Sequence, residues 1–124
     1  MMTPKHLGQQ SQDPIDTLDL IPWDQGGSTV TLHATEFTSH CPVTKQPDFA
    51  QLVFTYTPKA HLVETKSFKL WLWKWRSVAQ FNEKIVAELA QEFYEQVKPL
   101  AVKVEGRFNI RGGISVTCEV CHGE

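Results

Sequence analysis

The chain has 124 residues, enough for one domain with a real but modest core. Its 41% hydrophobic and 21% charged content is ordinary for a globular protein, and a formal net charge of −2 argues against a nucleic-acid-binding surface. No apolar run approaches the roughly 20 residues that span a bilayer.

Residues 1–24 are polar and punctuated by Pro4, Gly8, Pro14 and Pro22, without the apolar core of a signal peptide. They read as a flexible or draped arm ahead of a single domain over 25–124. The missing signal implies a cytoplasmic setting, and an odd count of three cysteines fits poorly with a disulfide framework. Val30, Leu32 and Ala34 then alternate with polar residues, which predicts a half-buried strand. The segment Ser39-His40-Cys41-Pro42-Val43-Thr44-Lys45-Gln46-Pro47-Asp48 follows as a rigid loop. On residue type alone Cys41 is a small packed hydrophobe. Set on a stiff loop with a carboxylate seven residues on, such a thiol can also attack an electrophile and have the adduct protonated.

Leu52, Phe54 and Tyr56 predict a second strand. From Glu64 the period changes: Phe68, Trp71, Leu72 and Trp75 mark one face of a helix. Phe81, Ile85, Leu89 and Phe93 mark a second helix, with Asn82 as its expected cap and Pro99 just past its end. Val102 and Val104, then Ile114, Val116, Cys118 and Val120, predict two closing strands around a basic turn at 107–113. The order β-β-α-α-β-β implies an α+β fold, an antiparallel sheet with both helices on one face. A small sheet with open edges and a second face invites subunit association.

Several residues carry candidate chemistry. Glu64 near a helix N-terminus is either a capping acid or an acceptor for a guanine-like edge. Lys66 and Lys69 share a helix face and suit phosphates, or simply solvent. Arg111-Gly112-Gly113 offers a guanidinium beside flexible backbone, or an ordinary tight turn. Trp71 and Trp75 belong to the core or a subunit contact, and Trp73 to the surface or an interface. The Cys118-Glu119-Val120-Cys121-His122 run has the spacing of a haem-attachment motif. It stands on a predicted strand in a chain without an export signal and reads as coincidence, with no metal expected.

Taken together, the stretches Phe37–Ala50, Glu64–Leu70, Phe81-Asn82-Glu83 and Arg111–Ile114 closely resemble the QueF nitrile reductases, NADPH-dependent 7-cyano-7-deazaguanine reductases of queuosine biosynthesis. The resemblance runs from about Phe37 to Val116 and matches the short, single-module form. It implies the tunnelling fold, in which β-β-α-α-β-β subunits associate into barrels with active sites at subunit interfaces. It further implies reduction of a nitrile to 7-aminomethyl-7-deazaguanine with two NADPH. Cys41 would be the nucleophile that forms a thioimide and Asp48 the acid. Val63, Glu64, Thr65, Asn82 and Glu83 would hold the deazaguanine, and Lys66, Lys69, Arg111 and Gly112 the NADPH. Thr65 stands where the family most often has Ser, and Asn82 where many members have His. The alternatives are an archaeosine-type amidinotransferase, which adds ammonia to the same thioimide, and a purine- or pterin-binding module without catalysis. The segment Glu64-Thr65-Lys66-Ser67 and the acidic net charge favour the reductase.

Overall fold

The computed structural model describes residues 13–124, so residues 1–12 of the expected arm lie outside it. The elements are β1 (Leu20–Pro22), β2 (Val30–His40), β3 (Pro47–Thr57), β4 (His61–Val63), α1 (Thr65–Trp73) with a 3₁₀ turn over Lys74–Ser77, α2 (Asn82–Val97), β5 (Ala101–Phe108) and β6 (Thr117–Gly123). The main sheet is antiparallel in the order β2-β3-β5-β6, and β1 pairs with β4 in a separate ribbon. This is the expected α+β arrangement.

One face of the sheet packs on the helices because β3 and β5 alternate strictly. Ala50, Leu52, Phe54 and Tyr56 meet Phe108, Gly106, Val104 and Val102 across the ladder. Phe54 lies at the centre, its ring 5.0 Å from Phe68 and 5.2 Å from Phe93. Trp71 is fully buried, and its indole N–H donates to Glu92 at 3.1 Å, so α1 is tied to α2 by a satisfied polar tip. Gly106 is required by close approach: a Cβ there would lie 2.7 Å from Val86 of α2.

Four details depart from the sequence reading. First, β2 does not hold one period. Its register shifts between Ala34, opposite Leu52, and Phe37, opposite Ala50. The extra residue is a β-bulge, and it turns Phe37 and Ser39 toward the helices. Second, Asn82 does not cap α2. Phe81 is the N-cap, with extended backbone and no side-chain cap bond, and Asn82 is already helical. Third, β5 runs through Arg107 and Phe108, and β6 starts only at Thr117, so Ile114 and Val116 are not in it. The chain instead closes on a tight turn in which Arg111 and Ile114 exchange backbone bonds of 2.9 and 3.1 Å. Gly112 (φ 60°) and Gly113 (φ 80°) supply the two left-handed residues such a turn demands. Fourth, part of the arm is a strand. Leu20–Pro22 pair with His61–Val63, Leu18 is buried, and the Ile15 N–H donates to the Leu70 carbonyl at 3.3 Å.

Candidate active site

Cys41 follows β2 directly and opens a six-residue loop to Gln46. The loop is closed by its own backbone: the Cys41 N–H donates to Gln46 at 2.9 Å, and the Lys45 N–H to Cys41 at 3.0 Å. Lys45 takes the left-handed conformation (φ 63°) that lets the chain reverse. The thiol is half-buried and free. Hydrogen bonds from the Thr44 N–H, then the Thr44 hydroxyl, then the Val43 N–H hold it below its ordinary range. Partial burial and the charge of Asp48 push the other way. His40, considered as a neighbour able to activate the thiol, pairs with Pro47 one residue out of step with Ser39, which places it on the opposite face. The activation is local to the loop.

This makes a direct prediction. Thr44→Val should move the pH midpoint for alkylation of Cys41 by iodoacetamide upward, because the thiolate is the reacting form and loses a hydroxyl donor. Peptide-resolved mass spectrometry across pH measures it, and an unchanged or lowered midpoint contradicts this origin of the shift.

Asp48 is buried on β3, directly opposite Ser39. The Arg111 guanidinium forms an ion pair with its Oδ1, and a second N–H donates to Gln46 Oε1 at 2.6 Å. The glycine turn therefore delivers Arg111, expected to serve the cofactor, onto the expected acid. The fork fixes the carboxyl group beside the Cys41 loop. α2 begins at the same end. The His40 N–H donates to Val78 and the Gln80 N–H to His40, both at 3.2 Å, as Ala79 bridges to His40. That bridge brings the start of α2, with Asn82 and the exposed Glu83, to the same end of the sheet as the loop. Buried Oδ1 of Asn82 has no hydrogen-bond partner among the described residues, and the same holds for Ser39 Oγ and Gln80 Oε1. Ser39, Gln46 and Gln80 were not singled out by the sequence, because an isolated polar residue carries no pattern.

Val63, Glu64 and Thr65 lie elsewhere. Val63 ends β4, and its N–H donates to the Tyr56 hydroxyl at 3.2 Å. Glu64 is the N-cap of α1: its carboxylate accepts from Lys66 N–H at 2.7 Å and Ser67 N–H at 2.9 Å. The capping alternative is thus realised, in a nearly fully buried side chain. From Glu64, α1 and the 3₁₀ turn carry the chain roughly 20 Å before it meets His40. One chain therefore divides the candidate residues into two groups. Cys41, Asp48, Asn82, Glu83, Arg111 and Gly112 gather at one end; Val63, Glu64, Thr65, Lys66 and Lys69 begin at the other.

Between them runs an open cleft of about 950 Å³ along α1 and the bulged edge of β2, lined among others by Thr38, Phe49, Thr65, Lys69, Trp73 and Arg76. Cys41 is not among its lining residues. Arg76 stacks over the Trp73 ring at 4.9 Å. Positive charge beside an aromatic face suits the phosphates and rings of a dinucleotide. The sequence reading pointed to Lys69 here but not to Arg76.

The C-terminal motif resolves into separate positions. Cys118 pairs with Gly106 and Cys121 with Lys103, so a spacing of three on a strand puts them on opposite faces. Burial, then the charge of Glu83, pushes the Cys118 thiol up. His122 stacks on Tyr94 at 5.3 Å. Among the described residues no helix is long and apolar enough to cross a membrane.

The comparisons with known proteins agree with this architecture. A crystal structure of an archaeosine synthase QueF-Like in the apo form superposes with a TM-score of 0.74, covering 81% of this chain and 98% of that one at 23% identity. At that identity the likeness concerns the fold, and the class is an α+β protein of the tunnelling fold. The family described as QueF-like protein matches residues 47–124, which include Asp48, Glu64, Asn82, Glu83 and Arg111 and begin just after the Cys41 loop. A Halorhodospira halophila protein named NADPH-dependent 7-cyano-7-deazaguanine reductase is 38% identical over 114 residues, 90% of this chain and 97% of its own length. Proteins of the same name from Syntrophus aciditrophicus and Syntrophobacter fumaroxidans are 42% and 43% identical, with 64% and 62% of their length covered. The chain belongs to the QueF-like family.

Proposed function

We propose that this chain is an NADPH-dependent reductase that converts the nitrile of 7-cyano-7-deazaguanine to the primary amine through a covalent thioimide on Cys41. The observation that carries this reading is the pairing of a thiol held below its ordinary range with a buried acid, Asp48, in a chain whose full-length relative bears that reductase name.

The Cys41 thiolate adds to the nitrile carbon. A carbon–sulfur bond forms, one carbon–nitrogen π bond opens, and its electron pair goes to nitrogen, which takes the proton that the ion-paired Asp48 carboxylate has accepted from the Cys41 thiol. The protonated thioimide is a far better hydride acceptor than the nitrile. When bound, NADPH supplies the two hydrides that the four-electron reduction needs. After the first, the carbon–sulfur bond breaks and Cys41 is released as thiolate while the imine stays in the site; the second leaves an electron pair on nitrogen, which takes a further proton that the site regains from water, giving the amine. Arg111 keeps the Asp48 carboxyl aimed at the nitrogen, and Asn82 and Glu83 hold the deazaguanine. Lys66, Lys69 and the cleft beside Trp73 and Arg76 fit NADPH by charge and shape; a volume of about 950 Å³ is ample for a large ligand.

The two groups of site residues meet when a second copy of the chain brings its Val63–Thr65 segment to the Cys41 end. The apolar rim of that end supports a homo-oligomer with sites at subunit interfaces. Val43, Phe81, Ile110 and Ile114 flank Cys41, Asn82 and Arg111, and are between 62% and 74% exposed. Residues 25–124, with the arm from Ile15 to Pro22 packed on them, act as the single catalytic domain, in the cytoplasm.

Purified protein should consume about two NADPH per nitrile reduced, with the primary amine as product. Folded protein that oxidises no NADPH with this substrate anywhere between roughly pH 6 and 9 would overturn the proposal.

A further inference from the structure

We infer that Ser39 is a further catalytic residue of this site, its hydroxyl donating a hydrogen bond to the nitrogen that Asp48 protonates; this rests on the thioimide reading above. Ser39 is wholly buried, yet its Oγ has no hydrogen-bond partner among the described residues. Buried hydroxyls are nearly always paired, because an unmet donor forfeits its hydration without return. A serine kept here for packing alone would be better replaced by alanine.

Its placement gives the hydroxyl a use. The bulge between Ala34 and Phe37 turns Ser39 to the helix side of β2, directly opposite Asp48 in the β2–β3 register. Side chains paired in this way stand about 5 Å apart on one face. Ser39 is also the last inward residue of β2 before the Cys41 loop. A group bound to Cys41 and protonated by Asp48 therefore presents its nitrogen beside Ser39.

A second observation points to a ligand at the same place. The buried polar atoms without partners among the described residues are Ser39 Oγ, Trp75 Nε1, Gln80 Oε1 and Asn82 Oδ1. Ser39, Gln80 and Asn82 all lie within three residues of the His40–Ala79 bridge. One donor-acceptor and two amide oxygens thus stand without partners near one bridge, at the end where the proposed substrate brings a nitrile and several N–H groups. In the step itself Ser39 keeps its proton. It stabilises the electron pair arriving on nitrogen, in the manner of an oxyanion-hole donor, while Asp48 passes on the proton taken from the Cys41 thiol.

The test uses full-length protein and 7-cyano-7-deazaguanine without cofactor, following adduct formation by intact mass. Ser39→Ala should melt at or above the wild-type temperature, since it removes an unmet polar group. It should form the adduct roughly 10- to 100-fold more slowly and lose a similar factor in kcat, with KM for the nitrile little changed. A variant that forms the adduct at the wild-type rate overturns the inference. So does a melting temperature lowered by several degrees, which would show the hydroxyl to be held by the protein itself. Wild-type protein that forms no adduct would instead overturn the underlying thioimide reading.

Discussion

Cys41→Ala is expected to reduce substrate-dependent NADPH oxidation by at least about 10³-fold, to the background of uncatalysed oxidation. The reason is electronic. A nitrile carbon accepts hydride poorly, and without sulfur there is no protonated thioimide to accept it in its place. The loss should appear in kcat. The residues proposed to hold the base and the cofactor are untouched, so NADPH binding, followed by fluorescence, should survive. Folding should survive as well. Cys41 is half-buried on a loop closed by backbone bonds, not by its side chain, so the change in unfolding free energy should stay within about 1 kcal/mol. Comparing steady-state rates with a denaturation curve separates the two effects. Residual reductase activity above about a tenth of wild type would mean that hydride reaches the nitrile without a covalent step.

Asp48→Asn should have the second-largest effect, and it carries an internal control. Asparagine keeps the shape and can still accept from Arg111, but it can neither take up the thiol proton nor pass it to nitrogen. Removing a positioned general acid lowers kcat by roughly 10²- to 10⁴-fold. At the same time, the charge of Asp48 is one of the influences that raise the Cys41 pKa. Its loss should therefore lower the midpoint for thiol alkylation, so that at any pH below that midpoint Cys41 reacts faster with iodoacetamide. A variant that is slower as a reductase and quicker as a thiolate is the signature of a lost acid. If both reactions slow together, Asp48 is a structural support for the loop.

The sequence disclosed the elements whose periodicity is uninterrupted. Leu52, Phe54 and Tyr56 alternate on a strand flanked on both sides, and Ile85, Leu89 and Phe93 mark the buried stripe of α2, so both emerge as expected. What it concealed are features set by single residues in tertiary context. The bulge near Thr35 and Glu36 inverts the inward face of β2 without any local signal, and that inversion puts Ser39 opposite Asp48. The Leu20–Pro22 strand is too short to show a period and exists because β4 offers it an edge. Asn82 has the composition of a cap, yet the parallel bridge of Ala79 to His40 fixes where α2 can start and leaves its amide turned inward. Arg111 was visible as a cation beside glycines; its ion pair with Asp48 depends on where a tight turn folds back over the end of β3.

Glu64 shows the difference between a residue's local duty and its role in a site. Its capping of α1 follows from helix chemistry alone. Its resemblance-based role toward a base requires an oxygen that still has a free lone pair, and a neighbour from outside its own end of the chain. That geometry is why the apolar rim around Cys41 matters: the same surface that leaves the single chain partly uncovered is the one a second copy would use.

The covalent adduct is the central claim, and intact mass spectrometry tests it most directly. Wild-type protein mixed with 7-cyano-7-deazaguanine in the absence of NADPH should gain the full mass of one substrate molecule per chain, because addition of a thiol to a nitrile expels nothing. The gain should map to the peptide carrying Cys41 and be absent from Cys41→Ala. No mass gain in folded wild-type protein, or a gain that persists in Cys41→Ala, would contradict it.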